Sequence, residues 1–126
     1  MTRSFFPLSK RADNLKIRIE VADTPEERVM GLSGRESLDE NTGLLFIYGQ
    51  PGIYGIWMKD MKFPIDVIWL DGNYLIADIA KDVQPDSFPK VFEPKVPAKY
   101  ILEVNAGFTE RNGIEVGDNL ESNFQP

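Results

Sequence analysis

The stretch from Gly52 to Ile76, GIYGIWMKDMKFPIDVIWLDGNYLI, constrains the fold of this chain more than any other. It carries both tryptophans and reads as three β segments: an apolar run through Trp57 and Met58, a second run from Ile65 to Leu70, and a return through Tyr74, Leu75 and Ile76. The turn KDMKFP parts the first two. Asp71-Gly72 parts the last two, and Asp-Gly between apolar runs marks a hairpin, because glycine takes positive φ without steric cost. Asp66 breaks the apolar pattern. In a strand it shares a face with Ile68 and Leu70, so its carboxyl is expected in the core, where it needs a cation or hydrogen-bond donors.

The remaining segments are shorter. Residues 1–14 lack periodicity, carry Pro7 and read as a loose leader. Leu15, Ile17, Ile19 and Val21 alternate with polar residues, the period-2 pattern of a strand with one buried face. Thr24-Pro25-Glu26-Glu27 is a capping box with proline at the first helical position, which predicts a short helix over 25–31 with Val29, Met30 and Leu32 inward. The continuous run Leu44 to Tyr48 predicts a central strand covered on both faces. Four prolines between Pro85 and Pro97 predict an irregular segment lying over the domain. Tyr100, Leu102 and Val104 give another strand, in which Glu103 shares a face with Ile101. One helical turn within 106–112, a last strand at Ile114–Val116 and a frayed tail over 121–126 complete the reading.

Short strands, glycine and proline turns, one capped helix and no βαβ alternation define a mainly β (α+β) domain over residues 15–120. The architecture expected is an antiparallel β-sandwich or partly closed barrel with one short helix near residues 25–31. At 126 residues one core suffices without disulfide or metal.

Composition removes whole classes of chemistry. There is no cysteine and no histidine, so thiolate nucleophiles, thiolate metal sites and the commonest general base are absent. No metal site and no cofactor are expected, since the acids lack calcium-loop spacing and no glycine-rich phosphate loop is present. Net charge is −6, and the early cations Arg3, Lys10, Arg11, Lys16 and Arg18 read as a solvated end, so nucleic acid is not an expected partner. No apolar run approaches the roughly 18 residues that span a bilayer, and FFPL is too short for a signal-peptide core; the chain reads as soluble, without membrane insertion.

Glu27, Asp66 and Glu103 are the carboxylates of interest. Glu27 is explained by the cap. Asp66 and Glu103, each on an apolar strand face, form the pair that acid/base catalysis would need, but buried acids more often pair with structural cations, here Arg28, Arg35 or Lys59. Trp57 and Trp69 can form a sugar-stacking platform or, more commonly for β-face aromatics, belong to the core. Arg28 and Arg35, seven residues apart, share a helical face only if the helix runs through Gly34, against the glycines' preference.

Four blocks in order carry a resemblance: Glu26, Glu27, Arg28, Gly31, Leu32 and Arg35; Gly43 to Phe46; Trp57, Met58 and Lys59 with Pro64, Ile65 and Asp66; and Glu103, Ala106 and Gly107. The sequence resembles the DUF192 family of small prokaryotic domains of unknown function. It departs from the family pattern at Ser33, Leu44 and Asp60-Met61. The resemblance implies a mainly β fold and an extracytoplasmic role, many members having the look of exported proteins, and it supplies no activity.

The preferred functional reading is a non-catalytic binding domain for a small molecule or protein partner, with a polar pocket formed by Arg28, Arg35, Trp57, Lys59, Asp66 and Glu103. The alternatives are a hydrolase or lyase using Asp66 and Glu103 as acid and base with Lys59 as electrostatic stabiliser, and a purely structural ion cluster.

Overall fold

A computed structural model describes residues 14–125, so all but the last residue of the expected leader lies outside the described residues. The elements in chain order are β1 (Ile17–Ala22), α1 (Pro25–Met30), β2 (Thr42–Gly52), β3 (Ile65–Leu70), β4 (Ile76–Val83), β5 (Ala98–Asn105), α2 (Phe108–Arg111) and β6 (Phe124–Gln125). The six strands form one sheet in the order β4-β3-β5-β2-β1-β6. The fold is mainly β with short helices, as the sequence indicates. The sheet is mixed and open, not closed into a barrel: β1 runs parallel to both β2 and β6, and the other pairings are antiparallel. The reason lies in α1. It occupies the β1–β2 connection, and parallel neighbours require such a crossover. The sequence reading found no βαβ alternation because this helix is a mere six residues long.

A single sheet buries both faces. On the first, Leu45, Ile68, Leu70, Leu102 and Val104 pack against Phe108, Ile114 and Leu120. On the second, Leu44, Phe46, Val67, Trp69 and Ile101 pack beneath Leu32 and Met58. Every residue of β3 is therefore buried, which is why its sequence reads as a continuous apolar run.

Local chemistry explains most boundaries. At α1 the Thr24 hydroxyl accepts from the Glu27 amide at 3.1 Å, and the Glu27 carboxylate accepts from the Thr24 amide at 3.2 Å, so the capping box is formed. The inward face of α1 is smaller than expected: Leu32, just past the helix, is buried, whereas Val29 is 85% and Met30 62% exposed. A helix that short presents one turn to the core. The β3–β4 hairpin forms where Asp71-Gly72 places it, but the left-handed residue is Tyr74 (φ 65°) rather than Gly72. Asp71 holds the turn with its side chain, accepting from the amides of Asn73 and Leu75 at 2.8 and 3.1 Å.

Three segments differ from expectation. Residues around Trp57 and Met58 form an irregular connection with a single bridge, Ile56 to Phe92, into the proline-rich segment. Ile114 is buried without forming a strand, since turns around Gly113 and Gly117 set its position. Residues 121–125 are a 3-10 turn and the edge strand β6, tied down where Asn123 donates to the Leu15 carbonyl at 2.9 Å.

Candidate functional site

β5 lies between β3 and β2, and Glu103 faces Val67 on one side and Leu44 on the other. Its side chain therefore rises from the middle of the second face. It is 6% exposed, and among the described residues no hydrogen bond or ion pair reaches its carboxyl. Burial pushes this carboxyl up to about 8, and no neighbouring charge draws it back. The uncharged acid is thus its resting form at neutral pH.

Over Glu103 opens a cavity of about 250 Å³, walled by the end of α1 through Ser33, by Phe46 and Tyr48 of β2, and by Gly55 to Met58. Tyr48 stacks on Tyr54 with ring centroids 3.7 Å apart. Arg28 crosses above, its Nη1 donating to the Ile47 carbonyl at 2.9 Å and its guanidinium carbon 5.1 Å from the Tyr48 ring centre. The Tyr48 phenol is pushed up, chiefly by burial and further by Glu103 and Tyr54, while Arg28 pulls it down. Trp57 is 49% exposed at the mouth, in tilted contact with Phe88 and with the Lys59 ammonium 5.8 Å from its ring centre.

Two hydrogen bonds dock the end of α1 onto the turn after Met58. Ser33 donates its hydroxyl to the Lys59 carbonyl at 2.8 Å, and the Gly34 amide donates to Asp60 at 2.9 Å. Between them and the helix sits Gly31, at φ 51° and ψ −133°, a conformation that only glycine adopts readily. An added Cβ there would also lie 3.2 Å from the Phe46 ring.

Asp66 lies on the opposite face. It is 1% exposed, and its carboxyl is held by four donors: the amides of Asp82 (2.9 Å), Gly107 (3.3 Å) and Thr109 (3.0 Å) and the Thr109 hydroxyl (2.7 Å). A register shift in β4 opposite Asp66 accompanies the positive φ of Asp82, whose amide reaches the carboxyl. The expected pairing of these acids with Arg28, Arg35 or Lys59 is absent among the described residues, because backbone amides serve Asp66 and nothing serves Glu103. Arg35 instead pairs with Glu20 of β1 at 2.9 Å.

The structure thus gathers Arg28, Trp57 and Glu103 at one cavity with Lys59 at its rim, and leaves Arg35 and Asp66 apart. Acid and base on opposite faces cannot flank one bond, so the carboxylate-pair hydrolase or lyase loses its geometry. The two-tryptophan platform is also absent. Trp69 is core, with Nε1 donating to the Tyr54 carbonyl at 2.8 Å. Sequence reasoning missed Tyr48 and Phe46, although both share a strand face with Leu44. Among the described residues, no three acidic side chains converge as a metal site requires.

Comparison with known proteins decides the kinship. The model of the DUF192 family, described as an uncharacterized ACR, matches residues 8–122. The chain belongs to the DUF192 family. A UPF0127 protein of Pyrococcus furiosus is 31% identical over 118 residues, covering 90% of this chain and 93% of its own. Two crystal structures resemble this DUF192 domain with TM-scores of 0.77. One, from Sinorhizobium meliloti and described as a candidate transcription regulator, is 31% identical and covers 80% of this chain and 78% of its own. The other, a protein of unknown function from Novosphingobium aromaticivorans, is 29% identical and covers 82% and 73%. Of the DUF192 motif residues, Arg28, Gly31, Leu32, Trp57, Met58 and Glu103 line the cavity on the second face, whereas Asp66 and Gly107 meet on the first.

Proposed function

We propose that the chain is a non-catalytic binding domain whose ligand enters the cavity above Glu103. One observation carries this reading: the Glu103 side chain, 6% exposed and without a donor or cation among the described residues, faces the cavity. Desolvating such a group without a partner costs stability, and a ligand that satisfies it recovers that cost on binding. A volume of about 250 Å³ sits below the usual range for drug-sized ligands, so the occupant is compact. The walls suit this role, with mostly apolar side chains around few polar groups. A nucleic-acid role, raised by the description of the Sinorhizobium meliloti relative, finds little support in a net charge of −6, because phosphate neutralisation dominates such binding. Among the described residues no helix is long and apolar enough to cross a membrane.

The test is a screen of small polar and amphipathic fragments by amide-resolved NMR. Binders should shift the amides of Gly31 to Ser33 and Gly55 to Met58. A screen whose binders all map elsewhere, or that yields none, would overturn the reading.

A further inference from the structure

The contents of the cavity point to a ligand class, an argument that rests on the binding reading above. Among the described residues that line the cavity, the one acidic side chain, Glu103, stands at the floor, and the one basic side chain, Arg28, is engaged by the Ile47 carbonyl and the Tyr48 ring. Glu103 has neither a donor nor a cation among the described residues. The remaining walls set aromatic and thioether groups, Phe46, Tyr48, Trp57, Met58 and Met61, beside aliphatic ones such as Leu32 and Ile56. Aromatic faces attract cations through their quadrupoles, and thioethers are polarisable enough to pack against them. At the mouth, exposed Val29, Met30 and Trp57 offer apolar contact for a stem that reaches outward. A neutral or anionic ligand meets the uncharged acid through a hydrogen bond alone, whereas an ammonium that displaces its proton gains a charge-assisted bond as well.

We infer that the pocket takes a compact amine, an ammonium on an apolar stem, which places its charge on Glu103 and its stem along Trp57 and Met30. Binding is then a proton exchange. Glu103 gives its carboxyl proton to solvent, the ligand keeps its own, and a carboxylate–ammonium pair replaces the neutral acid. Arg28 from α1 and Tyr48 from β2 are the titratable groups of the neighbouring elements, with Lys59 outside at the rim. Among the described residues Arg28 makes no ion pair with Glu103. The same ammonium can belong to a free amine or to a lysine side chain of a partner protein.

NMR and calorimetric titration with n-pentylamine, 1-pentanol and pentanoate test the inference, with Nα-acetyl-lysine methylamide to separate the two sources. Pentylamine should shift the amides of Gly31 to Ser33 and Gly55 to Met58 and bind at least tenfold tighter than pentanol. Its apparent affinity should rise about tenfold from pH 6 to 7, with nearly one proton released, since empty Glu103 holds its proton there. Glu103→Gln should lose at least tenfold in amine affinity and abolish the proton release. Tighter binding of the lysine amide than of pentylamine assigns a protein side chain as the source, and the reverse a free amine. Equal binding of pentanol and pentylamine, or amine binding without proton release, overturns the amine assignment and leaves the pocket standing. Should neither these probes nor the fragment screen move those amides, the pocket itself is lost.

Discussion

Asp66 and Glu103 are buried on adjacent strands with their carboxyls on opposite faces of the sheet, Asp66 opposite Val104 and Glu103 opposite Val67. One carboxyl has four donors and the other none among the described residues. Two acids that look alike in sequence therefore behave differently when replaced.

Asp66→Ala strands the amides of Asp82, Gly107 and Thr109 together with the Thr109 hydroxyl. The expected loss is about 3–5 kcal/mol, the range for breaking a buried hydrogen-bond network. Urea denaturation measures it. A loss below about 1 kcal/mol would mean that these donors find other acceptors.

Glu103 gives the opposite sign to the usual carboxylate. Its folded pKa, about 8, lies above the ordinary 4.5, so between those values the unfolded chain has released a proton that the folded one retains. Stability then falls as pH rises through that window, with a slope of at most about 1.4 kcal/mol per pH unit, and levels off above it. Glu103→Gln should match the parent near pH 4.5, exceed it near pH 8, and flatten the profile. Parallel profiles for the two proteins would remove Glu103 as the source.

Gly31→Ala forces a Cβ into a backbone conformation that non-glycine residues avoid and toward the Phe46 ring. It should cost about 1–3 kcal/mol and shift the Phe46 resonances, which line the cavity. Unchanged thermal stability would mean that the turn after α1 relaxes without strain.

At the end of α1 the exposure pattern separates neighbouring positions. Val29→Ser should stay within about 0.5 kcal/mol of the parent, whereas Leu32→Ala should cost about 2–5 kcal/mol as a core truncation. Comparable losses for both would return Val29 to the core.

Removal of the α1 cap by Thr24→Ala should cost about 1 kcal/mol. Chemical denaturation reads this directly, and no change would show that the Glu27 amide is satisfied by water instead.

Sequence made the frame legible where one signal sufficed. The Thr24–Glu27 box, the apolar run of β3 and the Asp71 turn each report on contacts within a few residues. The burial of Asp66 and Glu103 was legible from strand parity. Their separation was not, because parity within one strand fixes its faces only relative to themselves, and the pairing register of β3 with β5 lies in long-range packing. The parallel course of β1 was hidden for the same reason. Val29 reads as core from its apolarity, and its position at the mouth of a cavity exposes it.

The place of β5 in the strand order also sets a timetable for synthesis. The chain makes β1 and β2, then β3 and β4, and neither pair can reach the other until residues 98–105 arrive to fill the space between them. Until then, each half carries an unpaired edge and an uncovered apolar face, the state in which a nascent chain is most open to pairing with a neighbour. Insertion of one late strand joins the halves, and the strand that closes this seam is the one that carries Glu103 into the floor of the cavity.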